Sequence, residues 1–246
     1  MAQPTQKRHV RHVPVLITQA EPKSAASEAY RMLRTNIQFA GLDQPARSIV
    51  FTSAAPGEGK TTSVANFGVV AAEGGSRVCL IDSDLRRPTL HRVFGVTNTR
   101  GLTTALLHNL PLADVAQPTR TPSLSIVTSG PLPPNPSELV GSRRMRELIA
   151  ATATDFDLVL CDSPPIISVT DGIALAAQCD GVVLVIRAGA IAHDAIRRAT
   201  EQIEAVKSRV LGVLLNNVDL RRDGHYYQYY RYYRAYQGYY SENGHG

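Results

Sequence analysis

The chain has 246 residues, a formal net charge of +5 and an apolar fraction of 43%, which suits a globular protein with one large domain or two small ones. The small basic excess is weak evidence for a nucleic acid partner, and we expect none. The longest apolar runs fall far short of the ~18 residues that a membrane-spanning helix needs. The three cysteines, Cys79, Cys161 and Cys179, are odd in number, which favours reduced cytosolic thiols over a disulfide framework.

The N-terminus is basic (QKRHVRH), and the apolar stretch after it is too short for the core of a signal peptide. We predict a flexible basic arm over residues 1–23, followed by a helix within residues 23–40. Two sets of residues recur there at helical spacing: the apolar Tyr30, Leu33 and Ile37, and the charged Glu28, Arg31 and Arg34. The apolar set predicts a face that packs on the domain. The charged set, taken alone, is most simply a solvated face.

Short apolar runs alternate with helical patterns along the rest of the chain. Continuous apolar runs are typical of strands buried on both faces. Their alternation with helices predicts an α/β fold, a parallel twisted sheet with helices on both faces. The predicted strands are 48–54, 77–82, 123–129, 157–162, 181–186 and 209–216, and the predicted helices are 61–74, 102–109, 137–152, 171–178 and 192–207.

The helix predicted near residue 137 has a start signal. Asn135 can be its N-cap, Pro136 its first residue, and Glu138 can close a capping box.

The stretch FTSAAPGEGKTT, residues 51–62, lies between a predicted strand and a predicted helix. Glycines let backbone N–H groups cradle phosphate oxygens, and the helix that follows points its positive end at the same anion. In such a P-loop, Lys60 reaches the β- and γ-phosphates and the Thr61 hydroxyl ligates Mg²⁺. Ala54 stands where the usual pattern has its first glycine, which is a small departure. The predicted nucleotide-binding residues are Pro56, Gly57, Glu58, Gly59, Lys60, Thr61 and Thr62.

Carboxylates follow two further strands. Asp82 and Asp84 end the second strand, and Asp162 ends the fourth. Ligands of an open parallel sheet lie at the carboxyl ends of its strands, so the three carboxylates should converge near the P-loop. We predict Thr61, Asp82 and Asp162 as the residues of a Mg²⁺ site, with Asp162 acting through water. Asp82 or Asp84 taken singly could instead be a helix N-cap.

The last strand ends at Asn216, which by position alone could bind adenine. From about residue 221 the chain has no apolar period, and we expect residues 221–246 to be disordered. Nine of the ten tyrosines lie there: Tyr226, Tyr227, Tyr229, Tyr230, Tyr232, Tyr233, Tyr236, Tyr239 and Tyr240. Taken alone, this segment is equally well a substrate for phosphorylation or a chemically inert, adhesive tail.

The motifs PGEGKTT, LIDSDLRRP, LVLCDSPP and LPPNPSELVGS, with the terminal tyrosines, resemble the bacterial tyrosine kinases of capsule and exopolysaccharide synthesis. The resemblance runs from about residue 24 to the tail and implies a kinase domain over residues 24–220 with the P-loop NTPase architecture of Min/Par proteins. It implies phosphoryl transfer from ATP·Mg²⁺ to tyrosines of a neighbouring subunit, with Lys60, Asp82, Asp84 and Asp162 as catalytic residues. Asp82 is the first candidate for the group that takes the phenol proton.

The same resemblance implies partners and a location. Glu28, Arg31 and Arg34 match the family's subunit-contact motif, which implies a homo-oligomeric ring. The family also implies a membrane adaptor that activates the kinase, a phosphotyrosine phosphatase, and a cytoplasmic location at the inner face of the plasma membrane through the adaptor.

Two other functions share these features. A Min/Par-type ATPase has the same sheet and P-loop, but its signature lysine would stand at Ala55. A nucleotide-dependent scaffold without enzymatic activity would not need Asp82 and Asp84 beside the γ-phosphate.

Overall fold

The computed structural model describes residues 15–40 and 44–219. Within these ranges, helices and strands alternate as the sequence predicts. The elements are α1 (Ile17–Ala20), α2 (Ala25–Ala40), β1 (Ser48–Ser53), α3 (Lys60–Glu73), β2 (Val78–Asp82), α4 (Leu90–Phe94), α5 (Leu102–His108), a 3₁₀ turn (Leu112–Asp114), β3 (Gln117–Pro118), β4 (Leu124–Val127), α6 (Pro136–Val140), α7 (Arg143–Asp155), β5 (Leu158–Asp162), α8 (Asp171–Ala176), β6 (Gly181–Arg187), α9 (His193–Ala205) and β7 (Val210–Asn216). The predicted tyrosine tail lies outside the described residues.

The strands form one sheet in the order β3-β4-β2-β5-β1-β6-β7. Every neighbouring pair is parallel except the short β3, which is antiparallel to β4. The prediction of a parallel α/β sheet is confirmed, and the six predicted strands are all present. The two-residue β3 was not predicted, because it is too short to give an apolar pattern.

Helices cover both faces of the sheet, and successive strand residues point to opposite layers. Ile49 and Phe51 of β1 pack with residues of α2 and α3, whereas Val50 packs with residues of α5 and α7. All six residues of β1 are buried. This two-sided burial explains why the strand is a continuous apolar run, and it fixes the loop after β1 against the sheet.

The helix predicted over residues 137–152 is wrong in one respect, because two helices occupy this stretch. α6 ends at the Gly141 C-cap. α7 starts anew at Ser142, whose hydroxyl accepts a hydrogen bond from the Met145 N–H. A side-chain cap of this kind begins a helix because it satisfies an otherwise unpaired N–H group.

The predicted capping box is also wrong. Asn135 is the N-cap and Pro136 the first residue of α6, but the Asn135 side chain makes no capping bond. Its amide donates instead to the Glu138 side chain over 3.1 Å.

The flexible arm predicted over residues 1–23 is too long at its C-terminal end. Residues 1–14 lie outside the described residues, but Leu16 and Thr18 are buried in the core. The backbone N–H and the hydroxyl of Thr18 both donate to Asn66 of α3, over 3.1 and 2.9 Å. Residues 15–23 therefore belong to the folded domain and not to an arm.

Helix α2 lies against α3, the helix that follows the P-loop. Tyr30 and Ile37 are buried and Leu33 is partly buried in the same core, so the predicted apolar face is confirmed. Among the described residues, no helix has the length and apolar character to cross a membrane.

Candidate active site

The P-loop connects β1 to α3 and has the backbone shape of a phosphate cradle. Gly57 and Gly59 have φ angles of 82° and 90°, a region that favours glycine. Gly59 is the N-cap of α3, and Lys60 is its first residue. The first N–H groups of α3 therefore face the loop, where they can bind an anion. Pro56 and Gly57 are exposed, and Thr61 and Thr62 are half-buried.

Glu58 supports this loop from inside, a role that the sequence did not predict. The residue is only 2% exposed. Its carboxylate accepts hydrogen bonds from the N–H of Ala55 at 2.7 Å and from the N–H of Arg187, at the end of β6, at 3.3 Å. The available signal is an acidic residue at the variable position of a P-loop pattern, but one of its two partners, Arg187, is distant in the chain.

Asn216 holds the same loop from the end of β7. Its side-chain amide donates to the Glu58 carbonyl over 2.9 Å. A Cβ atom on Gly59 would lie 2.1 Å from this amide nitrogen, so a side chain there would displace the Asn216 amide and would also strain the backbone at a φ of 90°. The adenine contact stays a prediction, because the observed partner of Asn216 is the P-loop.

The three predicted carboxylates converge beside the P-loop. Asp82 and Asp162 are directly opposite each other in the β2–β5 register. The Thr61 hydroxyl donates to Asp162 Oδ2 over 2.6 Å. Lys60 Nζ lies 3.8 Å from Asp84 Oδ2. The carboxyl edge of the sheet thus brings an ammonium, a hydroxyl and three carboxylates together.

Asp82 has two oxygens with different environments. Its Oδ2 accepts hydrogen bonds from the backbone N–H groups of Thr89 and Leu90, over 3.1 and 3.0 Å. It therefore fixes the start of α4, a role similar to the helix N-cap that the sequence offered as an alternative for Asp82. Its Oδ1 is buried and has no hydrogen-bond partner among the described residues, so this oxygen can serve chemistry.

Burial makes these carboxylates unusually basic. It raises the pKa of Asp82 well above its usual range, and the negative charge of Asp162 adds to the effect. Burial also raises the pKa of Asp162 to about 7, against the opposing influence of Lys60 and Thr61. A cation bound between them would favour the ionised forms.

The site fits Mg²⁺, which prefers oxygen ligands and retains several waters. Asp162 Oδ1 and Asp82 Oδ1 are both buried and lack partners among the described residues. The described part of the chain has no group of three or more His, Cys, Asp or Glu that could hold a metal ion. Phosphate oxygens and water would therefore supply most of the ligands.

The three predicted interface residues lie on α2 and make different contacts within the domain, and the subunit interface stays a prediction. Glu28 and Arg31 pair on α2 over 2.9 Å. Arg34 turns toward α3, where it donates to the Val70 carbonyl over 3.1 Å and fills the space beside Gly74. A cation at the carboxyl end of a helix is favourable, so Arg34 has a role within its own domain.

Cavity size does not identify the site. Cavities of about 280 and 270 Å³ lie elsewhere, the first lined in part by Asp180 and Arg209 and the second by Arg34 and Phe67. No P-loop residue lines either one. The convergence of charged and unpaired polar groups is the better guide, because phosphate recognition depends on such groups more than on enclosed volume.

Comparisons with known proteins identify relatives of the chain. The family model described as an AAA domain matches residues 46–217. The tyrosine-protein kinase YwqD of Bacillus subtilis is 43% identical over 211 residues, which cover 86% of this chain and 89% of YwqD.

Solved structures resemble the fold closely. The chimerical protein CapA2B2 has a TM-score of 0.79 and 37% identity, covering 84% of this chain and 95% of that one. The kinase domain of the Escherichia coli tyrosine kinase ETK has a TM-score of 0.79 and 31% identity, covering 87% and 84%. The septum site-determining protein MinD of Pyrococcus horikoshii, at 23% identity and a TM-score of 0.60, shares the fold. The motifs, the geometry of the P-loop edge and these relatives together show that the chain belongs to the bacterial tyrosine-protein kinase family.

Proposed function

We propose that the chain is an ATP-dependent protein-tyrosine autokinase that phosphorylates the terminal tyrosines of neighbouring subunits and so regulates capsule or exopolysaccharide synthesis. One observation carries the proposal: Lys60, Thr61 and the three carboxylates meet at the carboxyl edge of the sheet beside the P-loop. A phosphoryl-transfer site needs little more than positioning and charge neutralisation.

Each group has a role in binding or in charge stabilisation. The P-loop amides and Lys60 bind the phosphates of ATP, and the Asp84 carboxylate orients the Lys60 ammonium at 3.8 Å. Thr61 and Asp162, already joined over 2.6 Å, would hold Mg²⁺. When bound, Mg²⁺ supplies positive charge that neutralises the phosphate oxygens during transfer.

Asp82 would accept the proton of the tyrosine. The phenol has a pKa near 10, so its oxygen attacks more readily when a carboxylate takes the proton. The phenol oxygen bonds to the γ-phosphorus as the bond to ADP breaks, and the proton passes to the unpaired Oδ1 of Asp82. This oxygen has no hydrogen-bond partner among the described residues, which supports the assignment. The same oxygen is also a candidate Mg²⁺ ligand.

A Min/Par-type positioning ATPase is the competing function. It uses the same fold, and MinD shares it. The signature lysine of that class is replaced here by Ala55, and nine tyrosines lie within residues 226–240. These two features favour the kinase.

The proposed partners follow from the family. They are other copies of this chain in a ring, a membrane adaptor and a phosphotyrosine phosphatase. The adaptor would bring the kinase to the inner face of the plasma membrane. The small basic excess of the sequence is only weak evidence for a nucleic acid, and we propose no such partner.

Replacing Lys60 by Met tests the proposed activity. Met keeps the aliphatic length but removes the ammonium that stabilises the transferring group. We expect phosphotyrosine formation to fall by about 10²- to 10³-fold, the usual effect of losing one transition-state donor. Intact mass after incubation with ATP·Mg²⁺ gives the phosphate count. Lys23→Met, the same exchange at an exposed residue before α2, is the control. Equal phosphate on both variants would refute the assignment of Lys60.

The two roles available to Asp82 are separated by a second comparison. If Asp162 serves Mg²⁺ and Asp82 serves the phenol, both Asp162→Ala and Asp82→Ala lower phosphate transfer strongly. Only Asp162→Ala should then weaken the Mg²⁺-dependent affinity for ADP, measured by calorimetry with and without Mg²⁺. Equal losses of affinity would place Asp82 among the metal ligands.

The subunit interface is tested by substitutions of the charged residues of α2, namely Glu28, Arg31 and Arg34. We propose that Glu28 and Arg31 contact a neighbouring subunit, whereas Arg34 mainly supports α3. The double variant Glu28→Ala, Arg31→Ala should then lose oligomer mass in light scattering with little change in stability. Arg34→Ala should lower the free energy of unfolding by about 1.5 kcal/mol, since it removes a hydrogen bond from a charged donor.

The ion pair Arg143–Glu147 on α7, 2.8 Å long, provides a matched control for the interface. Its removal by two alanines should leave the oligomer intact. The proposed contact is refuted if the Glu28 and Arg31 double variant keeps the same mass as this control.

A further inference from the structure

We propose that Arg86 and Asp171 form a clamp that positions Asp84, and through it Lys60, for phosphoryl transfer. The inference rests on the proposed function, because it assigns a positioning role in that same site. Neither residue carries a phosphate or takes a proton in the mechanism above.

The clamp is a closed cluster of three side chains. Arg86 Nε lies 2.9 Å from Asp171 Oδ2, and Arg86 Nη2 lies 3.1 Å from Asp171 Oδ1. The Ser137 hydroxyl donates to Asp171 Oδ1 over 2.6 Å and accepts from Arg86 Nη2 over 2.8 Å. A two-point contact between guanidinium and carboxylate fixes orientation as well as distance.

These three residues come from three segments at the carboxyl edge of the sheet. Arg86 follows β2, Ser137 lies in α6 after β4, and Asp171 begins α8 after β5. The three strands are neighbours in the order β4-β2-β5. The cluster therefore links the segments that follow adjacent strands of the site.

Arg86 is held at its backbone as well as at its side chain. Its N–H donates to Asp84 Oδ1 over 3.3 Å, and the N–H of Arg87 donates to the same oxygen over 3.0 Å. The other oxygen of Asp84 faces Lys60 Nζ. A continuous chain of contacts thus runs from Asp171 through Arg86 and Asp84 to Lys60.

Asp171 is a suitable anchor because its surroundings are tightly packed. Its side chain is fully buried. A Cβ on the next residue, Gly172, would lie 2.9 Å from the Pro164 carbonyl oxygen. That oxygen also accepts a hydrogen bond from Thr52 of β1 over 3.1 Å. The start of α8 is therefore fixed to the segment that leaves Asp162.

Asp171 is also charged despite its burial. Burial acts to raise its pKa, but the hydrogen bonds from Arg86 and Ser137 outweigh this, and the pKa is lowered overall. Loss of Arg86 would leave a buried carboxylate with weaker compensation, which favours rearrangement of this segment.

The test compares two adjacent arginines. Arg86→Ala removes the guanidinium but keeps the backbone N–H, and Arg87→Ala removes the same charge from an exposed position one residue later. We expect Arg86→Ala to lower kcat for tyrosine phosphorylation by about 10- to 100-fold, as displacement of a reacting group by about 1 Å does. Arg87→Ala should retain the activity. Arg86→Lys, which keeps the charge but not the fork, should recover only part of it.

Two further measurements separate positioning from stability. Hydrogen exchange at the amides of residues 86 and 87 should accelerate in Arg86→Ala, because Asp84 is no longer fixed. In a double-mutant cycle, Asp171→Asn should lower kcat little further once Arg86→Ala is present, since both substitutions remove the same contact. A general loss of stability would instead accelerate hydrogen exchange throughout the domain and lower the temperature of thermal unfolding.

The outcomes separate the two proposals. A wild-type protein that transfers no phosphate would refute the proposed function, and hydrogen exchange would still test the clamp. An active wild type with Arg86→Ala equal to Arg87→Ala in kcat would refute the positioning role. Unchanged exchange at residues 86 and 87 would refute the clamp itself.

Discussion

The parallel pairing of β2 with β5 is the constraint on which the site depends. It places Asp82 directly opposite Asp162, and β1 beside β5 brings the P-loop to the same edge. Strand ends in a parallel sheet must meet at one edge, so residues distant in the chain converge without any dedicated contact. The helices on both faces bury these strands and so keep the edge in register.

The edge concentrates buried negative charge, which is costly without compensation. Part of this charge is balanced within the chain, since Lys60 faces Asp84 and Thr61 donates to Asp162. The unpaired oxygens of Asp82 and Asp162 are the remainder, and they are the ones assigned to metal binding and proton transfer. Two of the buried polar atoms that lack a partner among the described residues thus lie where ligands are expected, as active sites often do.

The sequence predicted those parts of the protein that local patterns determine. Buried strands appear as apolar runs, and the P-loop has a fixed spacing, so both were found. The break at Gly141 was missed because a glycine within a helical pattern does not by itself end a helix. The roles of Glu58, Arg34 and Arg86 were missed for another reason: their partners Arg187, Val70 and Asp171 are far away in the chain. Tertiary contacts of this kind leave no periodic signal.

The central claim is that this edge transfers phosphate to the tyrosines of another subunit. The direct measurement mixes two variants, Lys60→Met with its tyrosines intact, and an active chain whose nine terminal tyrosines are replaced by Phe. After incubation of the mixture with ATP·Mg²⁺, intact mass should show phosphate on the tail of the Lys60→Met chain. Neither variant should gain appreciable phosphate on its tail when it is incubated by itself. If the mixture leaves that chain unmodified while the wild type modifies itself, transfer between subunits is contradicted.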